Sequence, residues 1–533
     1  MELAFLFNHI NFLLLLAVLC APCKFIQGPM DFGSSSLQQA TPTSSLDYGR
    51  IYFNSPAAVL RPKSPEAIST LLKFLYGSSF NDVAVAARGA GHSIHGQAQA
   101  LNGIVIEMDS LPSSIEIRRS NGDDGISYAD VSGGTLWIDL LKECLKVDLA
   151  PKSWTDYLYL TIGGTLSNGG ISGQTFKNGP QVMNVLELDV VTGKGELLTC
   201  STSQNSDLFF SVLGGLGQFG IITRARIMLE EAPHKVKWVR VFYDDFEKFT
   251  RDQELLVTSM EAMVDYVEGF IVLNDHSLLS SFVSFPSNLD LLPHFHEGSS
   301  DIHYCIEFAV YCHQTTASNA EKAIEVEEIL RRLSHIPSLV YSVVVSYFDF
   351  LNRVRMEEEN LRGRGLWDVP HPWLNMFVPP SSITRFKDLL LQSISPESFE
   401  GPVLIYPLRI DKWNGNMSVV VPETDRSDNL VYIVGVLRSA AADCVTGTPC
   451  LGGIVQQNQR VVEAATAELS AKQYLPSFSS DRQWRNHFGE GRWQRFAAMK
   501  ARFDPLHMLA PGQRIFDRIQ QPSSASAGAC DGK

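Results

Sequence analysis

Ala87-Arg88-Gly89-Ala90-Gly91-His92-Ser93-Ile94-His95-Gly96-Gln97 follows directly on the apolar run Val83-Ala84-Val85-Ala86-Ala87. The run reads as a buried strand. The glycines after it read as a turn in which backbone N–H groups converge on an anion with no side chain in the way. A pyrophosphate needs such a surface. Glycine-rich turns are often no more than tight turns, and it is the histidine inside this one that sharpens the reading. Imidazole is a nucleophile that can attack an electrophilic flavin methyl and stay attached. His92 and His95 both sit within reach of that role, and spacing does not choose between them.

The surrounding chain alternates short strands and helices, the texture of an α+β domain rather than a bundle. Pro65 to Tyr76 is expected to be a helix, with Pro65 in its first turn and Ile68, Leu71, Leu72 and Leu75 on one face. Asn102 to Met108 reads as a strand, Ser120 to Ser127 as a hairpin turn and Leu136 to Leu145 as an amphipathic helix. Val185 to Val191 and Leu197 to Cys200 read as a strand and its return, joined by a tight turn at Thr192-Gly193-Lys194-Gly195-Glu196. Asp207 to Leu213 then reads as a helix and Ile221 to Leu229 as an alternating strand. The Ser/Thr/Gln-rich stretch 34–45 is expected to be loose. From about 233 the composition shifts toward Phe, Tyr and Val strands with long helices such as Ala317 to Ser334.

Two further glycine-rich segments extend the case. Pro151 to Gly173 combines glycines, hydroxyls and aromatics, which would let backbone lie flat against a cofactor. Asp156, between Trp154 and Tyr157, is a candidate base, because desolvation raises a carboxylate's pKa toward neutrality; an Asp capping a turn is the plainer alternative. Gly215-Leu216-Gly217-Gln218-Phe219-Gly220 matches G-x-G-x-x-G, but it follows a helix and opens a strand, the reverse of the dinucleotide fingerprint. No zinc-ligand spacing, P-loop lysine motif or G-x-S-x-G elbow appears.

The 533 residues are too many for one core. A formal charge of −14, from 58 acids against 44 bases, argues against nucleic acid or an anionic membrane as the main partner. The apolar run Phe12 to Cys20 has the length of a signal-peptide core, with a retained anchor as the alternative. Of nine cysteines, Cys20 and Cys23 would leave with the signal. The odd remainder argues against a disulfide framework: Cys444 and Cys450, or Cys305 and Cys312, could pair, but ordinary thiols are expected. Asn416-Met417-Ser418 is the one glycosylation sequon.

Gly91-His92-Ser93, Trp154-Thr155-Asp156-Tyr157-Leu158, Val267-Glu268-Gly269, His371-Pro372-Trp373-Leu374-Asn375 and Leu509-Ala510-Pro511-Gly512-Gln513 together resemble the cytokinin dehydrogenases, within the vanillyl-alcohol-oxidase-like flavoproteins. The likeness runs from about residue 50 to 517. It implies an α+β fold with a two-part FAD-binding domain, residues 40–232 plus a C-terminal segment 476–517. Between them lies an inserted α+β substrate-binding domain, 233–475. Residues 1–23 would be the signal and 518–533 a disordered tail. It implies that FAD is bound covalently through His92, not His95, and touched by Gly89, Ala90, Gly91, Ser93, Gln97, Asp156, Thr161, Ser167, Ile171, Ile222, Tyr474 and Gln513. Ala510 departs from a serine found in some relatives, which puts a hydroxyl contact there in doubt. Asp156 would take a proton from the substrate amine, Glu268 would stand toward the adenine at the mouth of the site, and Trp373 and Asn375 would wall the pocket. The implied chemistry is cleavage of a cytokinin side chain to adenine and an aldehyde, with a quinone-type acceptor or oxygen. The implied protein is a secreted monomer of the apoplast or vacuole, with no nucleic acid or membrane partner. The rivals are an oxidase of sugars, lactones or alkaloids with the same fold, and a hormone-binding protein without catalysis. No cysteine lies between Cys144 and Cys200, where a second flavin bond would arise in berberine-bridge-type relatives.

Overall fold

Among the residues described in this computed structural model (36–78, 83–120, 125–274, 277–278, 285, 302–313, 319–396, 399–423 and 429–518), the strands form three sheets. The expected signal, 1–23, lies outside the described residues, as does all but the first residue of the expected tail. The first sheet holds β1 (Leu37–Gln38), β2 (Ala58–Leu60), β3 (Val85–Arg88) and β4 (Ile104–Glu107) in the order β1-β2-β4-β3. Helix Pro65–Gly77 buries Ile68, Leu71, Leu72 and Leu75 against it, each worth roughly 1.5–3 kcal/mol relative to exposure. The open side of β3 is covered by the C-terminal segment: Val85 N donates to Met508 O at 2.8 Å and Ala510 N to Val85 O at 2.9 Å. Two distant parts of the chain therefore meet at the strand that feeds the glycine turn.

The stretch 34–45, expected to be loose, is ordered over its described part. Leu37 pairs with Leu60 across β1 and β2, and Pro42–Ser45 forms a 3₁₀ turn closed by a Thr41–Ser44 capping box. Its hydroxyls are spent on caps and Ser44 is fully buried, which polar composition alone does not reveal.

The second sheet is antiparallel: β5 (Ile115–Arg118), β6 (Tyr128–Ser132), β8 (Val185–Thr192), β9 (Leu197–Ser201) and β10 (Gly220–Glu231) run in the order β5-β6-β10-β8-β9, with β7 (Leu149–Pro151) on the far end of β10. Residues 121–124 of the expected hairpin turn lie outside the described residues; the strands on either side pair as a hairpin does. Alternation sends Ala129, Val131, Leu188, Val190, Ala225 and Ile227 into the core. Residues 215–220 follow helix Ser206–Val212 and open β10, the order that set aside the NAD reading.

The third sheet has eight strands: β11 (Lys235–Tyr243), β12 (Tyr266–Val272), β13 (His303–Cys312), β14 (Val340–Ser346), β15 (Leu374–Val378), β16 (Val403–Arg409), β17 (Leu430–Val436) and β18 (Lys472–Tyr474). Their order is β14-β11-β13-β12-β16-β17-β15-β18, antiparallel throughout. One face buries Val267, Ile271, Ile306 and Val434 under helices Phe246–Val257, Asn319–Arg332, Ile383–Ser393 and Pro449–Glu468. The other face, carrying Tyr266, Glu268 and Phe270, turns toward the glycine-rich segments.

Cys444 and Cys450 form a disulfide, with Cα atoms 5.4 Å apart, which corrects the expectation of two thiols. A six-residue spacing across the turn that opens helix Pro449–Glu468 brings them together, and an odd total says nothing against one local pair. Cys305 and Cys312 do not form a disulfide with each other. Among the described residues no helix is long and apolar enough to cross a membrane, and no cluster of metal-ligating side chains occurs.

Candidate active site

The glycine turns, the third sheet and the C-terminal segment enclose a cavity of about 500 Å³. Every site residue singled out from the sequence lines it. The turn after β3 contributes Gly89, Ala90, Gly91, His92, Ser93 and Gln97; the second glycine segment contributes Asp156, Thr161, Ser167 and Ile171. Ile222 comes from β10, Glu268, Asn375 and Tyr474 from the third sheet, Trp373 from just before β15, and Gln513 from the C-terminal segment. His95 lines it as well.

The glycine turns are shaped for close approach. Gly91 has φ +66°, and a Cβ on Gly89 would stand 2.1 Å from Thr161 Oγ1. Asp47 pins the first turn from beneath, its Oδ2 accepting from Ser93 Oγ at 2.8 Å and Gly96 N at 2.6 Å. Burial pushes the Asp47 carboxyl up to about 6, against the pull of these hydrogen bonds. Gln513 Oε1 and Trp373 Nε1 are buried on the cavity wall without a hydrogen-bond partner. A bare backbone cradle with unpaired polar atoms opposite suits a dinucleotide such as FAD.

His92 sits in an aromatic column. Tyr48 stacks on one side at 4.1 Å between ring centroids and Tyr157 on the other at 5.0 Å, while His371 stacks on the far face of Tyr48 at 4.1 Å. Burial, and to a lesser degree His371 beyond Tyr48, lowers the His92 pKa to about 3. The ring is therefore neutral at pH 7 and keeps a nucleophilic lone pair. His95 is also neutral, lowered by burial to about 4.

The carboxyls form a second cluster, built by strand register. Arg240 of β11 stands opposite Glu307 of β13, and Glu307 opposite Glu268 of β12. Arg353, capping helix Val354–Gly363, reaches into this row: its guanidinium is 3.4 Å from Glu268, 3.5 Å from Glu307 and 3.7 Å from Asp156. Arg240 Nε donates to Glu307 at 2.5 Å, and Tyr266 OH donates to Asp156 Oδ1 at 3.1 Å. Burial raises both Asp156 and Glu268. Glu268 is driven further by the anionic Asp156 beside it, well above the carboxylate range; Arg353 and hydrogen bonds from Glu268 and Tyr266 restrain Asp156. Of the two, Glu268 is the carboxyl pushed further toward its protonated form, and Asp156 is the one held back toward its ionised form. Glu268, expected at the mouth of the site, is only 5% exposed and lies against Asp156.

Sequence reasoning missed Arg353, Glu307, Arg240, Tyr266, Tyr48 and Asp47. Arg353 opens the charged run Arg353-Val354-Arg355-Met356-Glu357-Glu358-Glu359, which reads as a solvated helix face. Strand register, which places Arg240 and Glu307, leaves no local signal.

Two solved structures share this architecture. The 6-hydroxy-D-nicotine oxidase of Arthrobacter nicotinovorans superposes with a TM-score of 0.63 at 16% identity, covering 91% of this chain and 98% of that one. A VAO-type flavoprotein of Myceliophthora thermophila gives 0.61 at 16% identity, over 86% and 79%. Residues 56–201 match the model of an FAD binding domain. The fold is that of the VAO-type flavoproteins, with an FAD-binding domain. Residues 233–516 match the family model "Cytokinin dehydrogenase 1, FAD and cytokinin binding". Cytokinin dehydrogenase 3 of Oryza sativa subsp. japonica is 60% identical over 531 residues, 99% of each chain. Cytokinin dehydrogenase 1 of Arabidopsis thaliana is 48% identical over 475 residues, 89% of this chain and 80% of that one. The chain belongs to the cytokinin dehydrogenase family, FAD-dependent oxidoreductases, and the reading as a sugar, lactone or alkaloid oxidase gives way to this one.

Proposed function

We propose that this enzyme cleaves the N-linked side chain of cytokinins such as isopentenyladenine to adenine and an aldehyde, with FAD held by a single bond to His92. The observation that carries the reading is the buried Asp156, bonded by Tyr266 and set beside Arg353 and Glu268, in the same cavity as the imidazole of His92. Asp156 accepts the proton of the substrate's side-chain N–H. Bound FAD supplies a two-electron acceptor for the hydride of the adjacent carbon. The substrate imine so formed hydrolyses to the two products. Glu268, which burial and the neighbouring Asp156 push toward its acid form, steadies Asp156 and offers polar contact toward the adenine. The Trp373 indole and Asn375 wall the pocket on the side-chain end. The glycine turns, Thr161, Ser167, Ile171, Ile222, Tyr474 and Gln513 hold the cofactor. Electrons leave to a quinone-type acceptor or oxygen.

Secretion to the apoplast or vacuole fits two features. Disulfides such as Cys444–Cys450 persist in oxidising compartments, and Asn416 of the sequon is exposed. The test is acid precipitation of the purified protein with turnover of isopentenyladenine by a quinone dye. Flavin retained in acid, lost in His92→Ala, and turnover lost in Asp156→Asn are expected. Acid-released flavin would refute the His92 bond; retained flavin without turnover of any N-substituted adenine would refute the substrate reaction.

A further inference from the structure

Glu358 is 2% exposed, although it belongs to the charged helix Val354–Gly363. It accepts from three donors: Tyr157 OH at 2.6 Å and Arg355 Nη1 at 2.7 Å on Oε2, and Arg362 Nε at 2.8 Å on Oε1. Tyr157 is the ring stacked on His92, and it follows Asp156 directly in the chain. Arg353, at the start of the same helix, holds Asp156 and Glu268.

We propose that Glu358 is a positioning residue for cofactor attachment, clamping the Tyr157 phenol so that its ring fixes the plane of the His92 imidazole. This rests on the reading of His92 as the attachment point. Tyr48 alone covers only one face of the imidazole, and Tyr157 without its hydroxyl anchor is free to swing toward the cavity that both line. The hydrogen bond from Tyr157, with Arg362 and Arg355, holds the Glu358 carboxyl below its ordinary pKa despite burial, and an ionised acceptor makes the stronger hydrogen bond. Holding a nucleophile at its attack angle is where small displacements are costly.

The experiment compares Tyr157→Phe, Glu358→Ala and Glu358→Gln with the wild type as purified holoproteins. It measures total flavin after desalting, the acid-stable share of it, and the thermal midpoint. Tyr157→Phe keeps the ring and removes one hydroxyl, so it serves where Glu358→Ala does not fold. The acid-stable share is expected to fall roughly tenfold in Tyr157→Phe and Glu358→Ala while total flavin holds, the scale of one lost charge-assisted hydrogen bond. Glu358→Gln, which retains an acceptor oxygen, should fall less. Variants that keep the wild-type share overturn the proposal and leave the His92 reading standing. Total and acid-stable flavin falling in step, with a lowered midpoint, also overturn it, since that marks general loosening. Acid-released flavin in the wild type overturns both.

Discussion

Arg353→Met removes the one guanidinium shared by Asp156, Glu268 and Glu307 and fills its volume with an apolar chain. The remaining cation of the row, Arg240, bonds Glu307. A unit charge 3.7 Å from Asp156 contributes about 4 kcal/mol at an effective dielectric near 20, equivalent to ~3 pKa units as an upper bound. The sign follows from the role of the base. Asp156 must be ionised to accept a proton, so activity rises with pH through its folded pKa. Burial already raises that pKa, and loss of the cation raises it further. The acid limb of kcat/KM for isopentenyladenine, followed with a quinone dye, should therefore move up by roughly 1–3 pH units. Acid-stable flavin should remain, because His92 belongs to the separate aromatic column. Breaking a buried ion cluster costs about 3–5 kcal/mol, so rates are compared at temperatures where circular dichroism shows the variant folded. Arg353→Lys keeps a charge and should recover much of the profile. A folded, flavinylated Arg353→Met with the wild-type acid limb would refute the account of Asp156 as a base tuned by this cation.

Three other perturbations test separate parts of the structure. Lys500→Met removes the cation beside the buried Asp504 carboxylate, leaving it the N–H groups of Met508 and Leu509, and removes donors to Gln218 O at 3.0 Å and Leu509 O at 3.3 Å, so a lowered thermal midpoint and weaker flavin retention are expected; an unchanged midpoint would contradict this. Asp47 shifts from 3.8 to about 6 on folding, so its stabilising contribution is complete below pH ~4 and is lost as pH rises through ~6, by roughly 3 kcal/mol. Asp47→Asn should gain on the wild type in thermal midpoint between pH 4 and 7.5, and parallel curves would show the shift is absent. Cys444→Ser with Cys450→Ser opens a short loop and should cost about 2 kcal/mol, seen as a lower midpoint and the loss of the wild type's sensitivity to reductant.

The parts of this molecule that sequence makes legible are those written in one segment. Pro65–Gly77 and Trp137–Leu145 show helical periodicity, Val185–Thr192 and Gly220–Glu231 read as strands, and the 89–97 turn carries its glycines and histidines together. Glu268 was legible only by resemblance, and its surroundings were not legible at all. Arg240, Glu307 and Glu268 lie on strands far apart in sequence and meet only because β11, β13 and β12 pair in one register. The same holds for Phe270, Leu404, Gly435, Asn375 and Tyr474, a second row running across β12, β16, β17, β15 and β18. Strand side chains alternate faces, so a one-residue slip of β12 would turn Glu268 onto the helix-covered face and bring Val267 or Gly269 against Asp156. The helix-covered face guards against that slip: it would expose Val267 and Ile271, which are buried under Phe249 and its neighbours, and bury a carboxyl among them. The apolar packing on one side of the third sheet thus holds in register the acid–base cluster on the other.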